Sequence, residues 1–407
     1  MPPPVGPFPA AGVLAHPVTQ PDTLPISPLV AGCAAFAVVL LVALGWPRAS
    51  HRKPRQSTPP VESWAGELSV PKRLMRVVAV TVLVLAIAAG RLGVDNELEN
   101  LAPALVVGAL WPLLVLASVS LGPVWRWTDP WDGVARAFTP GQPDTGDGSH
   151  VWPAALIAVP WVWYLSAYLD PLDPRSVGAV LAGYTVVTVG GCLAMGRSRW
   201  LATSEPFGIV LGWLALLPRG RLAGWMPPRG AEVLLGVLAG GVLFGAVRRS
   251  EFWGGLNTVH GAAVFALLGV VGSCAAAAGL LWWMGIRAEP RRARPAVARA
   301  AVPAVAAIIV AVAMDSHRLF TSVQLLPALL GDPFGLGWDL LGPAGAGLNP
   351  APLGTSGLLA AQLTVLLLGH LAGAVALARR VRWAAREPAV VALSMLAAVS
   401  VIVLVTP

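Results

Sequence analysis

The feature that most constrains this chain is the recurrence of uncharged, apolar runs about twenty residues long. A bilayer core of about 30 Å is crossed by roughly twenty residues of α-helix. Ten runs meet that length: 28–46, 74–90, 101–121, 151–169, 176–196, 231–247, 261–286, 298–319, 357–378 and 388–406. An eleventh, 201–217, is short and is interrupted by Glu205, Pro206 and Pro218, so it reads as an interfacial or re-entrant segment. Charged residues make up only 12% of the chain, about half the usual share in a soluble domain. Water-soluble, disordered and collagen-like classes are excluded on that ground. The expected fold is all-α, a polytopic transmembrane helix bundle occupying 28–406, preceded by a proline-rich tail over 1–27.

Charge sets the orientation. The net charge is +8, and the positive residues lie in short loops between apolar runs. That placement suits orientation and anionic lipid headgroups at the inner loops; it does not suit nucleic acid. With ten spans and an outer N-terminus, all but five of the 28 basic residues fall on the inner side, the exceptions being Arg91, Arg175, Arg248, Arg249 and Arg318. Both termini are then extracytoplasmic. Counting 201–217 as a span would put the Arg287–Arg299 and Arg379–Arg386 clusters outside. The lipid bilayer is the one certain partner on this reading, and a bacterial cytoplasmic (inner) membrane is the expected location.

Local signals refine the bundle. Gly236 with Gly240, Gly241 with Gly245, and Gly369 with Gly373 are small residues four apart, which let helix backbones approach closely in lipid. Thr128-Asp129-Pro130 is a capping sequence ahead of a short helix over 131–138. Cys33, Cys192 and Cys274 sit inside apolar runs, which suits structural thiols and not disulfides.

Ionisable groups at membrane depth are expensive and therefore candidate sites. Asp315, His317 and Arg318 lie in the run 298–319, His370 in 357–378, His260 at the mouth of 261–286, and His16 in the tail. Asp315 and Arg318, three apart, can pair on one helix face. His317, Thr321 and Gln324 form a polar stripe expected to face protein or a water-filled cavity. Imidazoles converging with a carboxylate would hold a transition metal such as Zn, Fe or Cu. The metal ligands on this reading are His16, His260, His317 and His370. The alternatives are interhelical hydrogen bonding and proton relay. The loop Gly331-Asp332-Pro333-Phe334-Gly335-Leu336-Gly337-Trp338-Asp339 carries two carboxylates and reads as a pocket rim or lid, with Asp332 and Asp339 as the candidate catalytic groups. No H-E-x-x-H, C-x-x-C or G-x-S-x-G occurs.

Several short stretches together resemble a family of bacterial polytopic membrane proteins labelled fenitrothion hydrolase. Ala15-His16 with Leu24-Pro25-Ile26 is similar to that family's approach to its first span, and Asn100-Leu101-Ala102-Pro103 to the start of its third. Val124-Trp125-Arg126 with Asp129-Pro130-Trp131 resembles V-W-x…N-P-W, with Asp129 in place of asparagine. Asp170-Pro171, Asp173-Pro174-Arg175, Asp332-Pro333…Trp338-Asp339-Leu340 and Gly369-His370…Gly373 resemble further family segments. His317-Arg318-Leu319-Phe320 departs from the family's H-Y-F-S. The resemblance implies cleavage of an organophosphate ester, with His16, His317, His370, Asp332 and Asp339 in an outward-facing pocket between the eighth and ninth spans. The alternatives are a proton-coupled or small-solute transporter and a structural subunit of a membrane complex.

Overall fold

The computed structural model describes residues 70–139, 148–218, 220–250, 253–254, 262–287, 290–315, 318–341, 348–349, 351–378 and 387–405. The first run (28–46), the 1–27 tail, His16, His260 and His317 lie outside the described residues. Among those described there is no strand, and the protein is an all-α helical bundle. We number the helices α1 Val70–Leu92, α2 Pro103–Leu121, α3 Val124–Thr128, α4 Pro130–Phe138, α5 Trp152–Ala167, α6 Pro174–Met195, α7 Arg197–Thr203, α8 Pro206–Leu214, α9 Ala231–Arg249, α10 Ala262–Arg287, α11 Pro290–Asp315, α12 Arg318–Gly331, α13 Gly354–Ala378 and α14 Glu387–Val405. Eight of them, α1, α2, α6, α9, α10, α11, α13 and α14, contain windows long and apolar enough to cross a membrane. The 16-residue α5 is apolar but shorter. The chain is a multi-pass membrane protein.

The bundle is built around α11. Of its apolar window 83% is buried, against 28% in α1, α10 and α13. The reason is its alanine content: Ala296, Ala298, Ala300, Ala301, Ala304 and Ala311 are all buried, and methyl side chains let neighbours come close. The outer helices turn large apolar side chains outward, among them Val77 and Val84 of α1, Val186 of α6 and Leu268 of α10. In water that surface would be a liability; against acyl chains it is the expected exterior.

Glycines set the contacts that the sequence marked. A Cβ on Gly236 would stand 2.6 Å from the Ala278 backbone nitrogen, and one on Gly240 2.5 Å from the Ser273 carbonyl, so this pair seats α9 against α10. Gly241 turns the other way, against Val162 of α5. A Cβ on Gly373 would stand 2.5 Å from the Ala300 carbonyl and one on Gly369 2.6 Å from that of Pro303, so this pair seats α13 on α11. The first turns of α2, over Pro103–Leu110, are wound as π-helix, a wide turn common where a helix serves a function.

Two expectations need correction. The helical stretch is not confined to the run 298–319: α11 occupies Pro290–Asp315 and a further helix, α12, Arg318–Gly331, packing Ser322 against Gly108. The loop that follows does not roof a gap between α11 and α13. Its backbone pairs with the 93–101 segment, Val94 N–H donating to the Phe334 carbonyl (2.8 Å) and Leu101 N–H to that of Pro333 (3.2 Å), so it covers the ends of α1 and α2.

Candidate functional site

One end of the bundle carries the ordered charge. Asp129 caps α4 as its sequence indicates: its Oδ1 accepts from the Trp131 and Asp132 backbone N–H groups at 2.9 and 3.0 Å. That cap aims Asp132, in the first turn, into the protein, where it is fully buried. Three guanidiniums converge on it. Arg76 of α1 reaches Oδ2 at 2.9 Å, Arg136 reaches the same oxygen at 3.1 Å, and Arg197 at the start of α7 reaches Oδ1 at 2.5 Å. Arg76 also donates to the Arg126 carbonyl at 2.7 Å. One carboxylate thereby ties together α1, α4 and α7, with α3 joined through Arg126.

A second acid group lies beside it. α7 and α8 are two short helices broken at Ser204-Glu205-Pro206, and Glu205 caps α8 by accepting from the Phe207 and Gly208 N–H groups at 3.1 and 2.5 Å. The Tyr184 hydroxyl of α6 donates to Glu205 Oε1 at 2.7 Å. Phe207, next in the chain, is held by Trp111, Trp161, Tyr184 and Trp131, with ring centroids 4.0, 5.3, 5.3 and 5.9 Å away. Each such pair contributes about 0.5–1.5 kcal/mol beyond its burial. This apolar box accounts for the electrostatics. Burial pushes the Glu205 carboxyl up to about 7, against the lowering effect of its Tyr184, Gly208 and Phe207 hydrogen bonds. Asp129 is raised well above the usual carboxylate range, first by burial and then by the negative charges of Glu205 and Asp132. Its Oδ2 is buried without a hydrogen-bond partner.

A cavity of about 380 Å³ opens against this cluster. Its walls are Trp125 and Arg126 of α3, Gly208, Leu211 and Gly212 of α8, and Trp213, Trp225 and Met226, with Ser149 and Arg221 also lining it. The chain closes the region by pairing Val151 N–H with the Arg229 carbonyl and Arg229 N–H with that of Ser149, at 2.8 and 2.9 Å. Arg299 of α11 fastens the far wall through the Trp225 carbonyl at 2.6 Å. Gly208 packs closely here: a Cβ on it would fall 2.6 Å from Glu205 Oε2 and 3.0 Å from Trp125 Nε1, so those two groups flank one point of the wall and a larger residue would displace the Glu205 carboxyl.

The residues singled out from sequence are placed differently. Asp332 builds its own loop, with its two carboxylate oxygens accepting from the Leu336 and Gly337 N–H groups at 3.0 and 2.6 Å. Asp339 is exposed. His370 is buried, and its Nδ1–H donates to the Leu366 carbonyl at 2.8 Å. Its neighbours Gly369 and Gly373 touch Pro303 and Ala300, in the half of α11 nearer the arginine cluster. It therefore does not join Asp332 and Asp339 at the opposite end. Gln324 is exposed and pins the Asn349 backbone, donating to its carbonyl at 2.8 Å and accepting from its N–H at 2.9 Å, so the stripe does not line a cavity there. Among the described residues no group of three or more His, Cys, Asp or Glu side chains is arranged to hold a metal ion. No protein-family model, curated protein or solved structure matches the chain.

Sequence reasoning missed Asp132, Arg76, Arg197, Glu205 and Tyr184 as a group. Two signals were available. Asp129-Pro130 and Glu205-Pro206 repeat one pattern, an acid followed by proline at a helix start, and Asp129 also sits among Trp125, Trp127 and Trp131.

Proposed function

We propose that the protein is a proton-coupled transporter of a small solute in a bacterial cytoplasmic membrane, its arginine-rich end facing the cytoplasm and anionic headgroups. The observation that carries this reading is the pair Asp129 and Glu205, two wholly buried carboxyls at the breaks of short helices, standing beside a cavity. Helix ends that point into the protein are a usual means by which membrane transporters build polar sites. A carboxyl poised near 7 exchanges its proton at physiological pH, and the Tyr184 hydroxyl holds it in place when ionised. Asp132 has a different role: with three arginines on it, it positions the helices. The hydrolase reading draws on the sequence resemblance, and three of its four imidazoles lie outside the described residues.

The test is uptake into proteoliposomes loaded with a pH-reporting dye, using a panel of anionic, neutral and cationic small organic solutes. At least one solute should move protons with it, and Glu205→Gln should uncouple the two fluxes. Solute movement that leaves the lumenal pH unchanged in the wild type would refute the reading.

A further inference from the structure

We infer that the cavity beside Glu205 takes a planar or branched apolar organic anion of one or two rings, with its anionic group against the Trp125 indole N–H and its body among Trp213, Trp225 and Leu211. The inference rests on the transport reading for its purpose, but its geometry stands separately. The volume, about 380 Å³, is at the small end of sites that enclose organic ligands. The walls are largely aromatic and aliphatic, which supplies affinity for an apolar body and little for a sugar or an inorganic ion. Among the described residues that line it, the charged ones are Arg126 and Arg221, both positive, which suits a negative ligand. Trp125 is 4% exposed and its Nε1–H is buried without a partner. An indole N–H can only donate, so a ligand acceptor is what would satisfy it. That N–H lies beside Gly208, itself part of the cavity wall.

The same point of the wall is flanked by Glu205 Oε2. An anion seated at Trp125 would be repelled by ionised Glu205 and tolerated by protonated Glu205. Anion and proton then enter together. Among the described residues, the other ionisable groups facing Glu205 are the Tyr184 hydroxyl and the Cys192 thiol from α6 and Asp129 from the start of α4, and none supplies a positive charge. The nearest cation acting on Asp129 is Arg76, which is engaged with Asp132.

Equilibrium dialysis of the purified full-length protein tests this with four probes: 2-naphthoate, octanoate, 2-naphthamide and 2-naphthylmethylammonium. The expected result is saturable binding of naphthoate at one site per chain, with the amide and the ammonium at least tenfold weaker. Trp125→Phe keeps the ring and removes the donor, so naphthoate should weaken about tenfold. Gly212→Leu projects into open space, since a Cβ there meets nothing within 4 Å; it should fold and block binding. Naphthoate affinity should rise as pH falls through about 7, and Glu205→Gln should remove that dependence. Equal binding of the ammonium, binding of neither naphthoate nor octanoate, or no loss in Trp125→Phe would overturn the inference. Binding is read without a gradient, which separates the two claims. Anion binding with no coupled uptake would sink the transport reading alone. Glu205-dependent uptake of cations would sink this one alone.

Discussion

Replacing Asp132 with asparagine tests the arginine cluster most directly. The substitution conserves shape and removes the one charge that three guanidiniums share. Two of the pairs are deeply buried, the Arg76 and Arg197 side chains being 10% and 8% exposed, and a buried hydrogen bond to a charged group contributes about 1.5–3 kcal/mol. Arg136 is 38% exposed and sits one turn away on the same helix, so solvent screening reduces its share to at most about 0.5 kcal/mol. The loss for Asp132→Asn is therefore about 4 kcal/mol, within the range for breaking a buried ion pair. Removing a single partner should rank in the same order: Arg197→Ala costs several kcal/mol and Arg136→Ala almost nothing. Thermal and SDS denaturation of the purified protein, followed by circular dichroism, would give both numbers. A wild-type midpoint for Asp132→Asn, or an Arg136→Ala loss as large as that of Arg197→Ala, would refute the argument.

The Glu205 carboxyl, raised from 4.5 to about 7, gives stability a pH dependence of known sign. Below about 4.5 the folded and unfolded states are both protonated; as pH rises to about 7 only the unfolded chain ionises, so stability falls by about 3 kcal/mol and then levels off. Glu205→Gln should flatten that slope in denaturation curves recorded from pH 4.5 to 8. Tyr184→Phe removes the hydroxyl that stabilises the ionised carboxyl, and should move the midpoint upward by about one pH unit, read from the same curves. Gly240→Leu forces α9 off the Ser273 carbonyl of α10 and should lower the denaturation midpoint sharply, whereas Gly183→Leu, facing open space, should leave it unchanged. Asp332→Ala frees the Leu336 and Gly337 amides and should raise hydrogen exchange at Val94, whose N–H bonds to that loop, without disturbing naphthoate binding at the other end.

The spans are legible because lipid demands a long uncharged run, a local property that a window can read. The glycine pairs were legible for a related reason: spacing by four puts both on one face, and α9 uses Gly236 and Gly240 as that spacing says. The α4 cap was legible because Asp129, Pro130 and the helix are adjacent in the chain. The arginine cluster was not. Arg76, Asp132 and Arg197 are far apart, with no period linking them, and each arginine taken alone satisfies the positive-inside pattern. Glu205 registered only as an interruption of an apolar run, because nothing in the sequence places Tyr184 or Trp125 beside it. His370 was grouped with Asp332 and Asp339, which it does not join, since rarity of a side chain marks interest and says nothing about its neighbours. The stripe through Thr321 and Gln324 marked the first half of α12 as helical, but its run on to Gly331 escaped notice because Gln324 and Pro327 break the apolar pattern that membrane burial would have imposed.

The shared carboxylate also constrains how the molecule is made. Arg76 leaves the ribosome before Asp132 exists, and Arg197 emerges later still, after α5 and α6. Until Asp132 follows, the base of α1 holds a cation with no counter-ion of its own, best kept among headgroups or water. Docking of α1 to α7 is thus deferred until α6 has been inserted, and Asp132 becomes the latch that registers successful integration of the N-terminal half. A chain lacking it would lose the link among α1, α4 and α7 at one stroke rather than fail at any one helix.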